Sequence, residues 1–293
     1  MSALPGSPQR HRTLLLEGER VDDVRGIEGL QWEADVVTND LGPDNLSKRH
    51  VSAIRCTPAV LSLGMGMGAK MAAWLGTALA RPALQLSGEI ILSDAHARAQ
   101  SGVQFKDATL TRFTVPALDT SSQEPAALLV ELQAGQVSAV QGDGSDTRGR
   151  VAASKPWSCS GFRIEIGSLP CAHVLRVEAL TWSVSAQANA GGVFREPAHH
   201  PGRVAVSDLQ LCIASIDFAA WASAAQKWFV DGAHLEGDEM TGRITMLADD
   251  GTELAALALS GLGFRRFPTL FPVADDRFVV TLYIEAISFS LEI

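Results

Sequence analysis

The chain is poor in aromatic residues, in charge and in cysteine. Aromatics make up 6% of its 293 residues, with a single tyrosine, which argues against a platform for stacking sugars. Charged residues reach only 19% while apolar residues reach 46%, so general disorder is excluded and a sizeable core can form. Basic residues are the scarcer sign, 24 against 33 acidic, for a net charge of -9. That balance argues against a nucleic-acid binder relying on a broad basic surface, although it leaves room for a local basic patch. The four cysteines, Cys56, Cys159, Cys171 and Cys212, form no C-x-x-C pair, and reduced thiols are expected. No long apolar run follows Arg10 and Arg12, and the longest apolar stretches are interrupted well short of a membrane span. A soluble, cytoplasmic protein without a Sec-type export signal is expected.

What the chain does have is an internal repeat. V-x-x-[IV]-E-x-L-x-W occurs twice, pairing Val24 with Val174, Glu28 with Glu178, Leu30 with Leu180 and Trp32 with Trp182. Five further landmarks follow the same order. Leu14–Gly18 parallels Arg163–Gly167, Val60–Gly64 parallels Leu209–Ile213, and Ala-Ala-Trp ends at both Trp74 and Trp221. Ser87–Ala95 then parallels Thr241–Asp250, and Leu128–Val140 parallels Phe278–Ser290. Matched tryptophans are expected to pack in equivalent places. The Gly-, Ser- and charge-rich stretch at 141–157 reads as a solvated linker, so copy one spans 1–140 and copy two spans 158–293.

Each copy reads as mainly β. Phe162–Ile166, Phe278–Ile284 and Ile287–Leu291 alternate apolar and polar residues, which lines one sheet face. Asp249-Asp250-Gly251 between two β-rich runs signals a hairpin. One Ala-rich segment per copy, Ala69–Ala80 and Phe218–Val230, has helical spacing instead. Ile216, Ala220, Trp221, Ala224 and Trp228 form its stripe in copy two, with Asp217 as a start signal and Asp231-Gly232 as a stop. The expected fold is mainly β (α+β): two tandem copies of a small β-barrel or sandwich domain, each with one flanking helix.

This order resembles the phage tail-tube family, including the hemolysin-coregulated proteins of type VI secretion. The resemblance is carried by Ile164–Ile166, by Val177–Leu180 with Ile27–Leu30, by Trp221, by Ile244–Gly251 and by Val279–Leu291. It implies tail-tube-like β-barrel domains and a structural, ring-forming, non-enzymatic role in a phage tail or injection apparatus. Tube proteins usually carry one such domain. Two per chain resemble the hub or tube-initiator rings of contractile injection systems, in which three chains mimic a six-fold ring; a hexamer stacking two rings is the rival geometry. The implied partners are further copies of the chain and tail-tube, baseplate or spike proteins, with no specific nucleic-acid binding and no membrane. An acidic lumen would let DNA or acidic cargo slide without sticking. The alternative is a tandem β-sandwich module binding a carbohydrate or protein partner.

No catalytic, cofactor-binding or metal-binding residue is expected. His199-His200, with His173 and Cys171, match no standard zinc spacing and read as a Pro-flanked loop. Met65 and Met67 in GMGMG suit a strand-to-helix loop better than a copper tract, and the phosphate-loop pattern is absent. No G-x-S-x-G elbow occurs. Glu236, Asp238 and Glu239 with Asp249 and Asp250 lack EF-hand spacing and read as a solvated face. Glu28 and Glu178 recur in both copies and read as exposed or interface glutamates rather than a catalytic pair. Arg265-Arg266 reads as a surface turn.

Overall fold

A computed structural model describes residues 11–39, 47–148, 156–189, 198–269 and 276–292; for 39, 186–189 and 198–201 only the backbone is described. The first half runs β1 (His11–Leu16), β2 (Glu19–Val21), β3 (Val24–Gly29), β4 (Trp32–Asn39), β5 (Lys48–Cys56), β6 (Ala59–Leu63) and α1 (Ala69–Ala80). It continues with β7 (Gln85–Ser93), β8 (Ala99–Val115), β9 (Leu118–Asp119), β10 (Leu128–Gln133) and β11 (Gln136–Gln141). The second half runs β12 (Trp157–Ile166), β13 (Val174–Val177), β14 (Leu180–Asn189), β15 (Ala198–Val206), β16 (Leu209–Ala214) and α2 (Phe218–Phe229). It closes with β17 (Met240–Ala248), β18 (Glu253–Arg266), β19 (Arg277–Tyr283) and β20 (Ala286–Leu291).

The fold is mainly β, with a nearly closed β-barrel sheet and, among the described residues, one α-helix in each half. The halves repeat one strand order. The first is β1-β7-β8-β10-β6-β3 with β11 added on β8; the second is β12-β17-β18-β19-β16-β13 with β20 added on β18. Register repeats as well. Leu16 pairs with Gly88 and Ile166 with Gly242; Leu132 pairs with Leu110 and Leu282 with Phe264. Structurally, Leu16 therefore matches Ile166, one place off the LLLEG/RIEIG match. The bulge after Glu131 on β10 returns in β18 between Phe264 and Arg266.

Alternation explains the cores. Leu14 and Leu16, Leu61 and Leu63, and Leu128, Val130 and Leu132 point inward in the first half, as do Ile164 and Ile166, Leu211 and Ile213, and Phe278, Val280 and Leu282 in the second. The Asp249-Asp250-Gly251 hairpin forms as expected: Gly251 adopts φ 81, and its N–H donates to the Ala248 carbonyl. Met65 and Met67 are buried in the core, so the GMGMG loop is a packed strand-to-helix connection, tied down by the Gly66 N–H donating to Asp23 at 3.1 Å.

Some sequence expectations change. The stretch at 141–157 is not a free linker at its described ends: Gln141 lies in β11, Trp157 is buried in β12, and Thr147 N–H donates to the Ala97 carbonyl at 2.8 Å. Of the expected α2 stripe, Trp221 and Trp228 are buried and Ala224 packs half-buried on the core, while Ile216 and Ala220 are exposed and Ala225 is buried in their stead. Asp217 does occupy the N-cap position of α2, at the end of a short 3-10 turn (Ser215–Asp217), but it makes no side-chain cap bond, and its carboxylate engages His173 Nδ1 at 3.1 Å.

The tryptophan pairs also diverge. Trp74 and Trp221 are both buried, with the Trp221 Nε1–H donating to the Pro170 carbonyl at 2.9 Å. Trp182 is 1% exposed, whereas its sequence counterpart Trp32 is 60% exposed. The reason is the placement of one hairpin in each half.

Candidate functional site

Each half contains a long hairpin that leaves the barrel. In β4–β5, Trp32 pairs with Cys56, Ala34 with Ile54 and Val36 with Val51. In β14–β15, Trp182 pairs with Val206, Val184 with Val204 and Ala186 with Pro201. The bulge falls at the same place in both. Among the described residues, only the second hairpin pairs with a further strand. β14 adds to the edge of β8, pairing Leu180 with Val115, Thr181 with Thr114, Trp182 with Phe113 and Ser183 with Arg112. Trp182 and Phe113 are both buried there, and Thr114 and Thr181 share a 3.1 Å hydroxyl hydrogen bond. Sealing each large apolar side chain from water contributes about 1.5–3 kcal/mol.

Further contacts extend this joint. β13 pairs with β9, where the Arg176 guanidinium reaches Asp119 at 3.3 Å and Glu178 at 2.7 Å. Hydrogen bonds from Ser121, then the Arg176 charge, hold the Asp119 carboxyl below its usual range. This pair is partly exposed, so it sets register more than it adds stability. On the other side, α1 lies against β20, and Phe113 and Phe289 rings meet at 5.6 Å. Gly76 faces the Phe289 carbonyl so closely that an added Cβ would sit 2.7 Å from its oxygen. The buried core is continuous across the joint.

Glu178 is therefore a joint-side, exposed glutamate, held by Arg176, and Glu28 is exposed in β3. Arg265 and Arg266 lie in the end of β18 rather than in a turn, with Arg265 paired to Asp208. His199 and His200 lie in β15 rather than in a loop; their side chains fall outside the described residues. Cys171 donates toward the Leu169 carbonyl at 3.5 Å, and burial pushes the thiols of Cys56, Cys159 and Cys171 up. Glu239 accepts a hydrogen bond from Tyr283 at 2.6 Å, and Asp238 accepts one from the Leu235 N–H at 3.0 Å. Among the described residues, no three His, Cys, Asp or Glu side chains cluster to hold a metal ion.

The described surface carries open grooves. One of about 460 Å³ beside the joint is lined by Arg112, Glu131, Gln133, Ser185 and Arg203. Another of about 810 Å³ gathers Arg12, Arg20, Arg98 and Arg148. Arg20 is paired with Asp22 and Arg148 with Asp146, and the Arg148 bonds hold the Asp146 carboxyl at about 2. No helix among the described residues is long and apolar enough to cross a membrane. The sequence motif singled out Trp182 and Glu178 but neither the surface that receives Trp182, Arg112–Val115, nor the β9 edge beside Glu178. Gly76, a glycine inside an Ala-rich helix, was the readable sign of a close backbone approach. No protein-family model matches the chain, and no curated protein matches it.

Proposed function

We propose that this protein is a structural, ring-forming component of a phage tail or a related injection apparatus, in a tube, tube-initiator or hub-like position. The observation that carries the reading is the joint between the halves: equivalent repeats sit side by side through strand addition and a shared core, not on a tether. Such a joint is heterologous, one face of a repeat meeting a different face of the next, and heterologous contacts build rings when their rotation closes. Three chains would then present six repeats. Its partners are further copies of itself and the tube, baseplate or spike proteins stacked on the ring, and the function needs no catalytic group. Light scattering at several concentrations, with negative-stain images, tests this. Closed particles of three or six chains are expected; a monomer at every concentration would overturn it.

The second reading, a tandem module gripping a carbohydrate or protein, draws on the exposed Trp32 with Val36, Val51 and Ile54 on the β4–β5 hairpin. That reading requires a monomer that binds its ligand through the hairpin.

A further inference from the structure

We infer that the β4–β5 hairpin docks on the chain edge at residues 266–269, where β18 ends, in a second copy of this chain, so that the joint between chains repeats the joint within each chain. The inference rests on the self-association read above and names its surface.

Superposing registers gives the correspondence. β4 matches β14, with Trp32 at the place of Trp182. β18 matches β8, with Phe264 at the place of Leu110, so Arg266, Phe267, Pro268 and Thr269 stand where Arg112, Phe113, Thr114 and Val115 receive β14. Among the described residues, the first half's hairpin forms only its own two-stranded sheet, and its apolar side chains lie in solvent. Leu30, just before β4, sits at φ 56, a costly region for leucine, whereas Leu180 lies within a paired strand.

The chemistry of the two free faces is complementary. Thr181 exchanges both backbone hydrogen bonds away from β8: its N–H donates to Ser207 Oγ and its carbonyl accepts from the Ser207 N–H. Gln31 does the same with Thr57. Gln31 is thus a non-hydrogen-bonded position toward a neighbour, and the residue it would oppose is Pro268, which has no N–H to offer. Trp32 would oppose Phe267, whose ring packs on Phe218, Phe264 and Phe278. In the first half, Arg112 has the β10 carboxylate of Glu131 at 3.8 Å; in the second, Arg266 opposes Thr281 on β19. The missing acid stands on the incoming strand, where Glu33 replaces Ser183. The flanking contact is also open: Ala219, Ser223 and Gln226 of α2 are exposed where Ala72, Gly76 and Leu79 of α1 lie against β20, and β11, the counterpart of β20, is largely exposed. Ser223 carries the Cβ that Gly76 lacks, so the hairpin is the principal contact.

Glu33 and Arg266 would form a non-hydrogen-bonded cross-strand pair, at a separation a disulfide can bridge. With Glu33→Cys and Arg266→Cys combined, mild oxidation is expected to give interchain-linked species up to the full ring, with neither single variant doing so. Separately, Trp32→Glu is expected to raise the half-dissociation concentration roughly 30-fold or more, as for a central tryptophan anchor. Trp32 is exposed in the chain, so circular dichroism and the melting temperature of this variant should stay unchanged at concentrations where the chain is monomeric. A wild-type ring that survives Trp32→Glu and yields no cross-link overturns this joint and leaves the ring reading standing. A wild-type monomer at all concentrations overturns both.

Discussion

Tyr283 is the chain's one tyrosine, so its titration can be followed without interference from another phenol. Burial first, then the hydrogen bond to Glu239, push its pKa up to about 12. Because the folded value lies above the unfolded one of about 10, the neutral phenol's contribution to stability is fully present below about pH 10. It is lost as pH rises toward 12. An ultraviolet absorbance titration of the folded protein should show a midpoint near 12. Glu239→Gln should lower that midpoint while burial keeps it above the unfolded value; a midpoint near 10 in the unaltered chain would contradict this placement. Gly76 gives a second residue-scale test, because two effects oppose each other there. Alanine is favoured over glycine in a helix by about 1 kcal/mol. Crowding the Phe289 carbonyl costs about 1–3 kcal/mol, since backbone cannot swing aside. Gly76→Ala is therefore expected to lower the unfolding free energy in urea, where an open helix site would show a gain.

The two hairpins separate sequence from context at the scale of the element. Their register, bulge position and leading tryptophan agree, yet one tryptophan is core and the other is surface. Trp182→Ala should cost about 3–5 kcal/mol by leaving a cavity against Phe113. Trp32→Ala should stay within about 0.5 kcal/mol when urea unfolding is measured where the chain is monomeric. The strands were legible because their alternation follows directly from the pleat, as at Phe162–Ile166, and α1 because its apolar spacing is dense. The α2 stripe was read too wide: Ile216 and Ala220 fall at helical spacing but face solvent, and spacing cannot say how much of a stripe is covered. The fate of Trp32 was illegible for the same reason. Its neighbours in sequence match those of Trp182, and the difference lies in Arg112–Val115, about 70 residues before Trp182, a pairing that no local pattern encodes. Glu178 was read as exposed or interfacial, and it lies beside the β13–β9 contact.

At the scale of the whole molecule, the repeats are fused by β14 on β8, by β13 on β9 and by α1 against β20. The core runs through all three contacts. The chain is accordingly expected to unfold in one transition, with intrinsic fluorescence and far-UV circular dichroism coinciding. Two separated transitions would mean that the joint contributes little. Among the described residues, the same fusion leaves one hairpin and one strand edge without a partner strand, and the proposed ring joins these two head to tail between chains. That joining is proposed to continue until a ring closes. The most direct measurement is the native mass across a wide concentration range, by light scattering with particles imaged from the same sample. A discrete closed particle of three or six chains is the expected result; a chain that remains monomeric throughout would contradict the account.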